Sequence, residues 1–121
     1  HYVRENKRVG EAKGALLSSD LDKFFGIILE SGRSSFEYLQ NVYTTQNVEE
    51  QGLSLALAVT DGALSGKGGA YRVHGGGFAG TIQAFVKKDA MPEYTKTMDA
   101  VFGEGAAMPL NIRPLGAIKL F

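Results

Sequence analysis

Glycine is concentrated in one short stretch of this chain, and that stretch limits what the chain can fold into. Eight of the sixteen glycines fall within residues 62–80, at positions 62, 66, 68, 69, 75, 76, 77 and 80. Glycine weakens the interior of helices and strands but tolerates left-handed backbone, so such a run is expected in connections. The regular elements must therefore be built on either side of these glycines.

The residues flanking Gly75-Gly76-Gly77 alternate in polarity with a period of two. Residues 71–74 alternate, and residues 81–86 repeat the pattern beyond the glycines. This period indicates β-strands. We expect two strands joined by the three glycines, whose lack of Cβ atoms would let a ligand or another segment approach the backbone closely.

Helical periodicity precedes the glycines. A first helix over residues 3–17 places Val9, Ala12 and Leu16 on one face, which we expect to be packed. A second helix begins near residue 20, after candidate N-caps at residues 18–20, and its apolar stripe runs to Tyr43. Small polar residues at 30–35 interrupt the stripe and predict a close backbone approach or a kink.

Two more helices and two more strands complete the pattern. A third helix is predicted from Asn47, interpreted as its N-cap, to about residue 59. A fourth opens at Asp89 and Pro92 and closes at Gly103. The alternating residues 108–112 and the apolar residues 115–120 predict two final strands.

This order of elements favours one domain covering residues 1–121, with an α+β fold. Its helices would pack on one side of a mostly antiparallel four-stranded sheet, in a ferredoxin-like arrangement. Residue 1 is His and a helical pattern is already under way at Val3. We therefore expect the chain to start inside a longer protein.

Composition excludes several classes of function. Thirteen Lys and Arg balance thirteen Asp and Glu, so no net positive charge favours nucleic acid or an anionic membrane surface. There is no cysteine for disulfides or thiolate metal sites. No apolar run approaches the roughly 20 residues that span a bilayer, and the charged first residues do not resemble a signal peptide. A cytoplasmic protein is expected.

Two stretches of the sequence resemble nucleotide-binding motifs but lack a required feature. Residues 75–80 satisfy G-x-G-x-x-G, yet a dinucleotide fingerprint must open a helix, and residues 81–86 indicate a strand. Residues 62–67 resemble a Walker A loop, but the spacing is one residue short and Gly68 stands where Ser or Thr would bind magnesium. Neither motif predicts a nucleotide site here.

The glycine stretch leaves two interpretations open. No Asp or Glu lies between Gly62 and Lys88, and Lys67, Arg72 and His74 are nearby, so its amides could hold a phosphate. Alternatively, the glycines only form a tight connection. His74 has no visible partner for general base catalysis, and no pair of His residues has metal-ligand spacing. The residues themselves predict no catalytic group and no metal site.

Residues 72–81, Arg-Val-His-Gly-Gly-Gly-Phe-Ala-Gly-Thr, resemble the third motif of the GHMP small-molecule kinases in its galactokinase form. His74 stands where Thr or Ser is common, and Ala79 replaces a Gly of many members. Residues 1–8, residues 30–35 (similar to Glu-Ser-His-x-Ser-Leu) and residues 116–120 agree with galactokinases in order and spacing. The resemblance covers nearly the whole chain.

The resemblance implies the carboxy-terminal domain of an enzyme that transfers the γ-phosphoryl group of ATP, with Mg²⁺, to the anomeric hydroxyl of galactose. The ATP-binding and catalytic residues would lie in an absent N-terminal domain, which would also be the partner of this one. Gly75, Gly76 and Gly77, then His74 and Arg72, would lie near substrate or phosphate. Alone, the 121-residue chain would be inactive and would associate weakly with itself through uncovered apolar surface.

Three alternatives remain. The parent could be another GHMP kinase that phosphorylates mevalonate, homoserine or a different sugar. It could be a catalytically silent, galactokinase-like regulator that responds to sugar and ATP. Finally, the chain could be an isolated ferredoxin-like domain that binds a small effector or another subunit, because fold does not fix function.

Overall fold

The computed structural model of the protein describes residues 1–78 and 80–116. Four helices and one two-stranded antiparallel sheet give the described residues an α+β fold. In chain order the elements are α1 (Tyr2–Leu17), α2 (Leu21–Leu39), α3 (Gly52–Leu64), β1 (Ala70–Val73), β2 (Ile82–Phe85) and α4 (Met91–Phe102). None of the helices in these ranges is long and apolar enough to cross a bilayer.

The two strands form the hairpin that the sequence predicts around the glycines. Ala70 lies opposite Phe85 and Val73 lies opposite Ile82, so the pairing is antiparallel. Successive strand residues point to opposite faces. One face of the hairpin therefore carries Arg72 and Phe85, and the other carries Tyr71, Val73 and Ile82.

Helices cover both faces of this hairpin, which differs from the predicted one-sided packing. On the first face, Phe85 packs edge-on against Phe24 of α2, with ring centroids 5.5 Å apart. On the second face, Val73 joins Val42 and Leu53 in a buried cluster. The physical reason is that a lone two-stranded sheet is only marginally stable and presents apolar side chains on both faces.

A second buried cluster joins α3 to α4. Leu64, Tyr94 and Met98 form it, with Tyr71 and Ile82 of the hairpin packed against them. Thr60 is fully buried beside it, and its hydroxyl lies 3.0 Å from the hydroxyl of Tyr94. That hydrogen bond satisfies two polar groups that would otherwise be costly to bury.

Helix α1 forms where it is predicted, but it packs with a different face. Val9 and Leu16 are 65% and 51% exposed, whereas Ala15 and Arg8 are buried. The prediction that Val9, Ala12 and Leu16 form the packed face was therefore wrong for two of the three residues. Arg8 can be buried because it is paired with Glu5 at 2.8 Å and with Glu30 at 3.0 Å.

Helix α2 starts as predicted and ends earlier. The side chain of Asp20 caps it by accepting a hydrogen bond from the backbone N–H of Lys23 at 3.0 Å. Gln40, in the left-handed conformation with φ 50°, ends it before Tyr43. The close approach predicted near residue 32 is confirmed, because a Cβ on Gly32 would lie 2.9 Å from Cβ of Arg72.

The limits of α3 differ from the prediction at both ends. Asn47 does not cap a helix, because its side chain accepts from the N–H of Glu49 at 3.3 Å in a local turn, and α3 begins at Gly52. The helix does not end near residue 59 but continues through Gly62 to Leu64, which is buried. Burial of one leucine outweighs the modest cost of a glycine in a helix.

Helix α4 begins with Pro92 in its first turn and ends at Gly103, as predicted. Residues 108–112 have no regular secondary structure, so the third predicted strand is not observed. The fourth predicted strand, at 115–120, falls mainly outside the described residues. The sheet that the structure describes therefore has two strands, and the four-stranded ferredoxin-like arrangement is not confirmed.

Candidate functional site

Residues 74–81 lie between the two strands in the sequence and contain Gly75, Gly76 and Gly77; we call the described part of this segment, residues 74–78, 80 and 81, the glycine loop. The backbone N–H of His74 donates to the carbonyl of Thr81 at 3.1 Å and closes its base. Gly75 and Gly77 have φ values of 60° and 80°, and Phe78 also has a positive φ of 55°. Glycine adopts such angles without strain, so the backbone path accounts for the glycines at 75 and 77, whereas Phe78 is a non-glycine residue in this conformation.

One buried side chain outside the hairpin holds the loop. Asn41, just after α2, is 3% exposed. Its amide nitrogen donates to the carbonyl of Gly76 at 3.1 Å, and its own carbonyl accepts from the backbone N–H of Phe78 at 3.1 Å. The hydroxyl of Ser35 in turn donates to the side-chain oxygen of Asn41 at 3.2 Å.

Gly77 lies directly against Asn41. A Cβ on Gly77 would lie 2.9 Å from Cβ of Asn41 and would be closer still to its carbonyl oxygen. No side chain fits there while the loop stays docked. The third glycine of the motif therefore has a structural role in packing, in addition to any role toward a ligand.

The first two glycines of the motif face open space. A Cβ on Gly75 or Gly76 would meet nothing within 4 Å. Within residues 1–78 and 80–116, their backbone N–H groups donate no hydrogen bond. Two adjacent unpaired amides at an exposed turn can bind an anionic or hydroxyl oxygen. The structure thus leaves the predicted residues Gly75 and Gly76 available to a ligand.

Of the polar residues predicted beside the loop, only His74 lies on it with its side chain exposed. It borders a groove of about 470 Å³ between β2, α4 and residues 106–112. Lys67 lies at the other end of β1, where it pairs with Glu93 at 2.8 Å. The structure therefore does not bring Lys67 to the loop.

The guanidinium group of Arg72 is bound away from the loop. It pairs with Glu5 of α1 at 3.2 Å, donates to the hydroxyl of Ser31, and donates from Nε to the carbonyl of Val73 at 3.2 Å. In the part of the chain that is described, no hydrogen bond joins it to Gly75, Gly76 or Gly77. Contact between Arg72 and a ligand stays a prediction.

The charges around Arg72 are mutually compensated. Burial opposes ionisation of Glu5, but hydrogen bonds from Ser31, Arg8 and Arg72 together outweigh it and lower the pKa of this carboxyl group. Burial likewise disfavours the charged form of Arg8, while Glu5 and Glu30 raise its pKa above the ordinary value. This polar network joins α1, α2 and β1, and it fixes the strand that leads into the loop.

A wide cleft of about 1070 Å³ opens on the other side of the glycine loop. Phe78, Gly80 and Thr81 form one wall, and residues 39–40 and 42–46 with the start of α3 form another. Hydroxyl, amide and apolar groups line it, and Glu50 is its only charged lining residue among those described. The cleft suits a neutral polar molecule better than a highly charged one.

Sequence reasoning missed Asn41 as a site residue. Its neighbourhood carries no motif, and its contact with Gly76 bridges 35 positions along the chain. The one local signal is a polar residue directly after the end of a helix, which is common in turns. No group of three or more His, Cys, Asp or Glu residues that could hold a metal ion occurs in the described ranges.

Comparisons of the chain with protein-family models, with curated proteins and with solved structures gave no match. The observations on the glycine loop, on Asn41 and on the adjoining cleft therefore consist of their geometry and of the sequence motif in the loop.

Proposed function

We propose that this chain is the carboxy-terminal domain of a galactokinase of the GHMP kinase family. One observation carries the proposal: the motif at residues 72–81 places Gly75 and Gly76 in an exposed turn between the strands, where their amides donate no hydrogen bond to any described residue. Both glycines are exposed and have open space around them, so an oxygen of a ligand can reach their amides. Amides presented this way suit a reaction in which phosphoryl oxygens are held in place.

The proposed reaction transfers the γ-phosphoryl group of ATP to the anomeric hydroxyl of galactose. Phosphoryl transfer depends mainly on positioning and on stabilising charge, which fixed backbone amides can provide. The amides of Gly75 and Gly76 fit an oxygen of phosphate or sugar, and His74 is exposed beside them. The described residues offer no carboxylate cluster for Mg²⁺, so the metal, the nucleotide and the catalytic groups would be held by an N-terminal domain.

The proposal has consequences for the fold and the location of the protein. Residues 108–112 and the carboxy-terminal residues would complete a four-stranded, ferredoxin-like sheet in the whole enzyme. Tyr2, Val3 and Val9 are exposed on α1 and would be covered by the N-terminal domain. The enzyme would act in the cytoplasm, without nucleic acid or membrane as a partner.

The test is phosphorylation of galactose, mevalonate, homoserine and other sugars by the protein extended upstream with its N-terminal half. We expect turnover with galactose, and no turnover by the 121-residue chain alone. Turnover with mevalonate or homoserine instead would assign another GHMP kinase. Sugar binding without turnover would favour the regulator. The absence of both sugar binding and turnover would contradict the proposal.

A substitution tests the loop within that enzyme. We expect Gly76→Val to reduce turnover because the added side chain would occupy the open space in front of the free amides. Gly26→Val, at an exposed position of α2 with equally open surroundings, is the matched control and should keep wild-type turnover. Wild-type turnover of Gly76→Val would remove the loop from the site.

A further inference from the structure

Apart from the two strands that it joins, the glycine loop is hydrogen-bonded to one residue in the described part of the chain, Asn41. The side-chain amide of Asn41 donates to the carbonyl of Gly76, and the backbone carbonyl of Asn41 accepts from the N–H of Phe78. The other hydrogen bonds of the loop, from His74 to Thr81 and from Gly77 to His74, stay within the loop itself. Among the described residues, Asn41 is thus the anchor that fixes the loop's position relative to the helices.

Asn41 is itself held in one orientation. Ser35, also buried, donates to its side-chain oxygen at 3.2 Å, which leaves the amide nitrogen directed at Gly76. Gln40 turns the chain immediately before it with φ 50°, so the backbone carbonyl of Asn41 faces Phe78. The side-chain oxygen, the side-chain nitrogen and the backbone carbonyl of Asn41 therefore all form hydrogen bonds. Rotation of the side chain would break at least one of them.

The chemistry of the contacts requires asparagine. The side chain must accept from Ser35 with one atom and donate to Gly76 with the other, which a planar amide of this length does. Aspartate has the same size, but it cannot donate to the Gly76 carbonyl and would repel it. Leucine has neither group, and glutamine is longer than the closely packed space beside Gly77 allows.

We propose that Asn41 is the positioning residue of the glycine loop: by binding the Gly76 carbonyl and the Phe78 N–H, it holds the loop in the conformation that exposes the Gly75 and Gly76 amides to an oxygen of the ligand. The catalytic part of this inference rests on the proposed kinase function. The conformational part does not, because it concerns hydrogen bonds within this chain.

The experiment compares Asn41→Asp with Asn47→Asp. Asn47 is exposed, and aspartate can still accept from the N–H of Glu49 there, so the control makes the same chemical change without touching the loop. The first measurement is the chemical shift and hydrogen exchange of the Gly75, Gly76 and Phe78 amides by NMR in this chain. We expect all three amides to shift in Asn41→Asp, and the Phe78 amide, which is hydrogen-bonded to Asn41, to exchange faster; all three should be unchanged in the control.

The second measurement is steady-state kinetics in the protein with its N-terminal half. A misplaced loop should lower kcat by on the order of 100-fold, while KM for the sugar changes little. Ser35→Ala, which removes only the support behind Asn41, should shift the same amides and lower kcat less. This variant keeps the test decisive if Asn41→Asp does not fold.

The outcomes separate this inference from the proposed function. If the loop amides are unchanged in Asn41→Asp and in Ser35→Ala, Asn41 does not position the loop, whatever the protein catalyses. Wild-type kcat in Asn41→Asp would also overturn this inference, even with shifted amides. If the wild-type protein phosphorylates nothing, the proposed function fails, and the NMR comparison still decides whether Asn41 positions the loop.

Discussion

Gly32 and Gly77 are both too crowded to carry a side chain, but they sit in regions that differ in their freedom to move. A Cβ on Gly32 would lie 2.9 Å from Cβ of Arg72 and 3.2 Å from the carbonyl oxygen of Tyr71. A Cβ on Gly77 would be closer to its neighbour, the carbonyl oxygen of Asn41. By distance alone, Gly77 would be the costlier position to substitute.

The surroundings reverse that order. Gly32 lies on α2 against β1, and ion pairs tie α1 to both elements: Glu5 pairs with Arg72 of β1, and Arg8 pairs with Glu30 of α2. Neither element can retreat without breaking that network. Gly77 lies in an exposed loop that only Asn41 attaches to the helices within the described residues, so the loop can detach at the cost of two hydrogen bonds. The cost of crowding depends on what must move.

The largest effect is expected from Gly32→Val. The added atoms must separate α2 from β1, and we expect the free energy of unfolding to fall by about 3 kcal/mol. Gly26→Val on the same helix, with nothing within 4 Å, should change it by no more than about 0.5 kcal/mol. Urea denaturation of both variants measures the difference, and equal stabilities would contradict the tight α2–β1 contact.

A smaller effect is expected from Gly77→Ala. The loop should detach and its left-handed residue should be strained, which together lower the free energy of unfolding by about 1–2 kcal/mol. Gly76→Ala is the matched control, because the surroundings of Gly76 are open and its φ is not positive. If Gly77→Ala lowers the free energy of unfolding more than Gly32→Val does, the contact distance of the added Cβ determines the cost, and the freedom of the neighbouring segment to move does not.

Glu5 tests the network that holds Gly32 in place. Its lowered pKa means that it stabilises the fold above its unfolded pKa of about 4.3 and loses that contribution as the pH falls through the folded value. Glu5→Gln should cost about 1 kcal/mol at neutral pH and should weaken the acid dependence of stability. Stability curves from pH 7 down to pH 3 check this, and parallel curves for the two proteins would exclude a role for Glu5.

The smallest effect concerns the other face of β1, at Tyr71. Burial and then the hydrogen bond to Asp61, at 2.6 Å, raise its pKa to about 12. Its stabilising contribution is therefore present below the unfolded pKa of about 10 and is lost as the pH rises through about 12.

Tyr71→Phe should cost about 0.5 kcal/mol at pH 7 and weaken the alkaline loss of stability. Asp61→Asn should lower the pKa of Tyr71 in a spectrophotometric titration. A wild-type tyrosine titration in Asp61→Asn would show that the carboxylate has no influence.

Local patterns were enough to predict the hairpin, α1, the start of α2, and α4. Each depends on contacts between near neighbours: period-two alternation, the Asp20 cap, and Pro92 with Gly103 at the ends of α4. The limits of α3 could not be predicted, because the turn at Asn47 and the burial of Leu64 compete with the local signals. Burial at Leu64 depends on α4, which lies far along the chain.

The candidate site also has one part that the sequence predicts and one part that only tertiary contacts reveal. The glycines of the loop stand out in the sequence because their backbone angles restrict residue type. Asn41 does not, because its importance comes from contacts with Ser35 and Gly76 that only the folded chain creates. The predicted environment of Arg72 also depended on tertiary structure, since Glu5 reaches it from 67 residues away.

That separation of 67 residues between Glu5 and Arg72 also bears on the order of folding. Closing so long a loop costs entropy before any contact repays it, whereas the β1–β2 hairpin closes over a few residues. We therefore expect α1 to dock onto β1 in a late step of folding, after the transition state. Its ionic contacts then act mainly by slowing unfolding, and they prolong the lifetime of the folded domain without hastening its formation.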